Sequence, residues 1–125
     1  MPKRIIHNDE MPAALGPYSQ AVGAFGELVF ISGQAGLAAD GSVPSEFEPQ
    51  ARQAFENIKN VVEASGLSMA DVAKTTIYLA DASQFPTLNS LFGEYFPKNP
   101  PTRAVPITQL PKGLQISIEA IAVRP

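Results

Sequence analysis

The sequence predicts one α+β domain spanning residues 1–125, with two α-helices laid over one face of a mixed β-sheet. Three observations carry this reading. Two segments space their apolar side chains at helical intervals, each follows a strand-like run, and a further such run closes the chain. The predicted order is β, β, α, β, α, β, β.

Tyr18–Val22 reads as a short extended piece. Gly23 and Gly26, around Ala24-Phe25, suggest a tight hairpin joining it to the next strand. That strand, Glu27 to Gly33 (ELVFISG), is continuously apolar through its middle, as expected of a strand covered on both faces. From Glu46 to Ser65, Phe47, Ala51, Ala54, Phe55, Ile58, Val61 and Val62 form one helical stripe. Ser45 with Glu48 has capping-box spacing, and Gly66 suits the helix end. Asp71 to Leu79 is rich in residues that favour a pleated surface. A second helix runs from Gln84 to Phe96, with Phe85, Leu88, Leu91, Phe92 and Tyr95 on one face; Pro86 fits its first turn and Pro97 stops it. Prolines 97, 100, 101, 106 and 111 keep the next stretch extended or turned, with a short strand at Arg103–Thr108. Gln115 to Val123 alternates and then becomes wholly apolar. The sheet face away from the helices is also apolar, and one chain has nothing left to cover it, so identical chains are expected to associate.

Composition narrows the function classes. With 45% hydrophobic and 17% charged residues, the chain can bury a core without staples. The absence of cysteine excludes a disulfide framework, thiolate metal sites and a cysteine nucleophile. No apolar run approaches a membrane span, and the N-terminus lacks a secretory h-region, so a cytoplasmic protein with no membrane partner is expected. A net charge of −3 with no basic stripe argues against a nucleic-acid partner.

No phosphate-binding glycine loop and no metal-ligand cluster is visible, so neither cofactor nor metal is expected. His7, the single histidine, has no partner at a useful spacing and reads as a surface or locally bonded side chain. Arg103 lies on a stiff segment between apolar neighbours, where a guanidinium needs either an internal salt bridge or a carboxylate or phosphate ligand. Glu119 sits within ISIEAIAV; it either pairs with a cation such as Arg103 or Lys74, or serves as a proton acceptor with a tuned pKa. Tyr18, in GPYSQA, carries a phenol at a strand start, where packing is the ordinary role. Ser32 and Gly33 end a strand, and Gly33 permits close approach of a ligand. Asn89, on the second helix, is either a capping or bridging residue or a site neighbour.

In order, GPYSQA at 16–21, ISGQ at 31–34, QARQAFENIKNVVEASG at 50–66, VAKTTIYLAD at 72–81, PTRAV at 101–105, LPKG at 110–113 and IEAIAV at 118–123 resemble the RidA/YjgF family of reactive intermediate deaminases. The resemblance covers nearly the whole chain. It implies a chorismate-mutase-like fold assembled as a homotrimer with a central barrel and active sites between subunits. It further implies that Arg103 anchors a substrate carboxylate and that Glu119 orients or deprotonates water. Tyr18, Ser32 and Gly33 would line the same cleft, with Asn89 beside them. The implied reaction is hydrolysis of 2-imino acids (2-iminopropanoate, 2-iminobutanoate), tautomers of enamines such as 2-aminoacrylate, to 2-keto acids and ammonia. Relatives also suggest a pathway-specific enamine deaminase of the aminoacrylate or aminomuconate type, and an RNA-cleaving translation inhibitor or chaperone. Three departures from the family pattern bear on pocket shape: Ala104-Val105 after Arg103, Ser117 where Glu is common, and AGLAADG after Gln34.

Overall fold

A computed structural model describes residues 3–125. Its elements are β1 (Lys3–Ile6), β2 (Ala21–Ala24), β3 (Glu27–Ala35), α1 (Phe47–Ala64), β4 (Val72–Leu79), α2 (Phe85–Tyr95), β5 (Thr102–Ala104) and β6 (Ile116–Arg124). The main sheet has the order β3-β6-β4-β5; β6 is antiparallel to both neighbours, whereas β4 and β5 are parallel. The sheet is therefore mixed, as expected, and both helices pack on one face of it.

The core follows from the two helical stripes. α1 buries Phe47, Ala51, Ala54, Phe55, Ile58 and Val62, and α2 buries Leu88, Leu91 and Phe92. Phe55 joins the helices, stacking on Tyr95 with ring centroids 4.9 Å apart and meeting Phe92 edge-on at 6.4 Å. The sheet answers with Ile31, Ile77, Leu79, Ile116, Ile118 and Ala122. No helix among the described residues is long and apolar enough to cross a membrane.

Helix ends show where local signals held. Gly66 takes φ +84, and the backbone N–H groups of Gly66 and Leu67 donate to the Glu63 and Val62 carbonyls, completing a Schellman motif. Ser45 does not cap α1. The N-cap is Glu46, without a side-chain bond, and the Ser45 carbonyl instead accepts from Gln115 Nε2 at 3.0 Å. Gln50, a buried polar residue on α1, also serves that junction: its amide donates to Pro44 O (2.9 Å) and accepts from Gln115 N (2.8 Å). Asp71 lies before β4, in a capping box with Ser68.

The expected hairpin between β2 and the ELVFISG strand does not form. β2 pairs with β1, in register Ile5↔Val22, and β3 pairs with β6. Gly26, at φ +137, packs against the end of β6 so closely that a Cβ would collide with the Arg124 carbonyl; this contact directs β3 to β6 rather than back onto β2. β1 was missed because KRII is too short to show alternation. β5 is only three residues long; Pro106 ends the pairing, and Ile107 returns as an isolated bridge to Leu79.

β3 is not covered on both faces in one chain. Val29 and Ile31 turn toward the helices, whereas Leu28 (53% exposed) and Phe30 (71%) stand on the open face. That face also carries Ser117, Glu119 and Ile121 of β6 and Lys74, Thr76 and Tyr78 of β4, set opposite one another by the register.

Candidate active site

Arg103 is held by its neighbours' backbone. The Ser19 N–H donates to Pro101 O (3.2 Å) and its hydroxyl to Pro100 O (2.5 Å), while Thr75 Oγ1 donates to Thr102 O (2.9 Å). The prolines stiffen the approach, and these three bonds tie the GPYS segment and β4 to it. Arg103 lies level with buried Thr75, so its side chain leaves the helix-covered side of the sheet. There its guanidinium carbon sits 5.0 Å from the Tyr18 ring centroid, 5.1 Å from Phe92 and 5.2 Å from Phe85.

No carboxylate pairs with this cation among the described residues, whose ion pairs are His7–Asp9, Arg52–Glu94 and Arg124–Glu27. Its Nη1 is buried without a hydrogen-bond partner. Burial lowers the guanidinium pKa from its ordinary value, with Tyr18 opposing; an arginine remains charged nonetheless.

Asn89 lies beside Arg103. Its amide nitrogen donates to Leu15 O at 3.3 Å, and its Oδ1 is likewise buried and unpartnered. Tyr18 accepts from the Leu15 N–H at 3.3 Å. Gly16 is required here by space: a Cβ would collide with both Arg103 Nη2 and Asn89 Oδ1. Arg103 Nη1 and Asn89 Oδ1 are thus both buried polar atoms without a partner, which a folded chain tolerates rarely.

Glu119 lies elsewhere. It stands on the open face of β6, opposite Thr76 of β4. Across it, β3 bulges: Ile31 pairs with Ala120 and Gln34 with Ile118, leaving Ser32 and Gly33 to oppose Glu119. A cavity of about 340 Å³ opens there, lined by Glu119, Ser32, Lys74, Thr76, Phe30 and Ile121 among others. Glu119 Oε1 accepts from the Tyr78 hydroxyl at 3.2 Å, and Lys74 donates to Thr76 Oγ1 at 3.0 Å. The carboxylate's charge raises the Tyr78 pKa from its ordinary value.

One chain thus does not bring the expected residues into a single cleft. Arg103, Tyr18 and Asn89 form one cluster on the helix side, and Glu119 and Ser32 another on the open side. Gly33 lines a separate groove with Gln34, Gln53 and Asn57; a Cβ on it would stand 2.9 Å from Ser117 Oγ. Neither cation considered for Glu119 pairs with it. His7 is exposed and bonded locally to Asp9 at 2.9 Å. Tyr78 was missed by the sequence reading, although alternation along KTTIYL puts it on the Lys74 and Thr76 side. Among the departures from the family pattern, Ser117 sits directly opposite Tyr78, Val105 packs against the core, and Ala104 is exposed.

Two helices on one face of a mixed sheet, with an unpartnered guanidinium at the sheet edge, define a small α+β protein. The endoribonuclease L-PSP family model matches residues 8–124. The chain belongs to this family, the RidA/YjgF group. It is 40% identical over 98% of both chains to the putative reactive intermediate deaminase TdcF of Escherichia coli. It is 39% identical to the 2-iminobutanoate/2-iminopropanoate deaminase of the same organism, covering 97% of this chain and 98% of that one. The crystal structure of E. coli TdcF with bound serine superposes with a TM-score of 0.76 at 38% identity, covering 98% and 99% of the two chains.

Proposed function

We propose that the protein hydrolyses 2-imino acids, with 2-iminopropanoate and 2-iminobutanoate as representative substrates, to 2-keto acids and ammonia, in sites completed between copies of a homotrimer. The observation that carries this reading is the pair of orphaned groups, Arg103 Nη1 and Asn89 Oδ1. Together they complement a ligand bearing a carboxylate beside an N–H. An iminium acid has both groups on one carbon. The serine bound to TdcF is a ligand of that size and charge pattern.

The chemistry asks little more. A guanidinium holds a carboxylate through two parallel hydrogen bonds, which fixes the neighbouring C=N carbon in place. Once its nitrogen is protonated, that carbon is electrophilic. Glu119 takes a proton from water as the oxygen bonds to the carbon, giving a carbinolamine. The carbinolamine nitrogen then takes that proton back from Glu119, the C–N bond breaks and ammonia leaves, and the hydroxyl loses its proton to become the keto oxygen. Positioning supplies much of the rate gain, and general-base assistance adds roughly 10²–10⁴-fold.

Arg103 and Glu119 face opposite sides of one sheet, so a shared site calls for two chains. Arg103 lies on β5, the sheet's edge strand, and Glu119 lies on the apolar open face. Seating the edge of one copy over the open face of the next joins the halves and covers Leu28 and Phe30, in a closed ring of head-to-tail contacts.

The test supplies 2-iminopropanoate in situ from a dehydratase and follows its loss, with light scattering on the same sample. Accelerated loss and a trimeric mass are expected. A monomer at micromolar concentration, or loss at the unassisted rate, overturns the reading. Cleavage of added RNA instead would favour the endoribonuclease activity that the family's name carries.

A further inference from the structure

We propose that Tyr78 is a positioning residue that fixes the Glu119 carboxylate for its work on water. The catalytic part of this inference rests on the deaminase reading. Glu119 stands on an open sheet face, where a carboxylate is free to turn and a base must not. Among the described residues its one hydrogen-bond donor is the Tyr78 hydroxyl, 3.2 Å from Oε1. The bond crosses from β4 to β6, two neighbouring strands held in register by Ile77↔Ile118 and Tyr78↔Ser117, so both ends are anchored. It leaves Oε2 without a protein partner, on a residue that lines the 340 Å³ cavity.

The other groups facing that cavity do not compete for the role. From β4, Lys74 is the remaining ionisable group; its ammonium is turned to Thr76 and forms no ion pair with Glu119. From β3 come Phe30 and Ser32, neither of which titrates at ordinary pH. Tyr78 is also an inexpensive residue to have chosen: it is half-buried on the open face and lies outside the hydrophobic core, so removing its hydroxyl removes one bond and little packing.

The phenol's hydrogen bond fixes one carboxylate oxygen and with it the direction of the other. Aim matters where the water is one of many on an open face.

The experiment compares wild-type protein, Tyr78→Phe, Glu119→Gln and the double variant. Tyr78→Phe should lower kcat roughly tenfold with KM nearly unchanged, the scale of one hydrogen bond to a charged group. In the Glu119→Gln background the same change should do nothing further, because the residue acts through Glu119. Carbon-13 NMR of the Tyr78 ring should show its titration falling in Glu119→Gln, because the carboxylate's charge raises it in the wild type. A folded Tyr78→Phe protein whose loss adds in full to that of Glu119→Gln, or a Tyr78 titration that Glu119→Gln does not move, overturns the inference. If the wild type turns over no imino acid while the Tyr78 titration still shifts, the deaminase reading falls and the Tyr78–Glu119 pairing stands.

Discussion

Arg103→Ala is expected to lower kcat/KM for 2-iminopropanoate by roughly 10²-fold or more, the scale of removing one member of a desolvated, hydrogen-bonded charge pair. The reason lies in what surrounds the guanidinium. The rings of Tyr18, Phe85 and Phe92 surround it at about 5 Å, and a Cβ on Gly16 would collide with it. It is therefore set in place before a ligand arrives, and little ordering cost remains to be met on binding. Alanine removes both the anchor and its alignment, so KM should rise and kcat should fall together. Solution mass should not change, since the side chain points into its own chain's helix layer. Steady-state kinetics with enzymatically generated substrate makes the check. Wild-type kcat/KM in the variant would remove Arg103 from the site.

Glu119→Gln should act differently. Glutamine keeps the size and can still accept from the Tyr78 hydroxyl, so the cavity should persist. What it loses is the capacity to take a proton, and kcat is expected to fall by roughly 10²–10⁴-fold while KM changes little. An unchanged kcat would show that water attacks without help from this residue. In the proposed site the two variants would separate the group that grips the substrate from the group that activates water.

Much of the fold could be read in the sequence because its signals are local. The α1 stripe, the Gly66 terminus and the placing of Pro86 and Pro97 around α2 each depend on residues within one or two turns. Pairing partners were harder. The Gly23–Gly26 segment looks like a hairpin turn, yet Gly26 is needed for a contact with Arg124, almost one hundred residues away. Ser45 has a capping-box partner in sequence, but its carbonyl is drawn to Gln115, seventy positions on. In both cases a long-range contact overrode a short-range signal, and no local pattern reports such contacts.

The site divides in the same way. Arg103 and Glu119 announced themselves as charges in apolar surroundings. Their faces follow from register alone: Arg103 beside Thr75, Glu119 beside Thr76, one step apart on β4 and hence on opposite sides. The apolar open face pointed to association, and Leu28 and Phe30 mark where it would occur. Asn89 gained a specific reason to be in the site only when its Oδ1 was found buried and unpaired. Tyr78 lay hidden because a tyrosine in TTIYL reads as an ordinary strand residue.

The account depends on a guanidinium from one copy and a carboxylate from another meeting over one substrate. Subunit complementation tests this most directly: Arg103→Ala and Glu119→Gln chains, each nearly inactive alone, are unfolded together in equal amounts and reassembled. Random mixing in a head-to-tail ring gives an intact arginine donor half of the time and an intact glutamate partner half of the time. About a quarter of wild-type activity should therefore return. Mixed assemblies, verified by mass, that regain no activity would contradict the shared site.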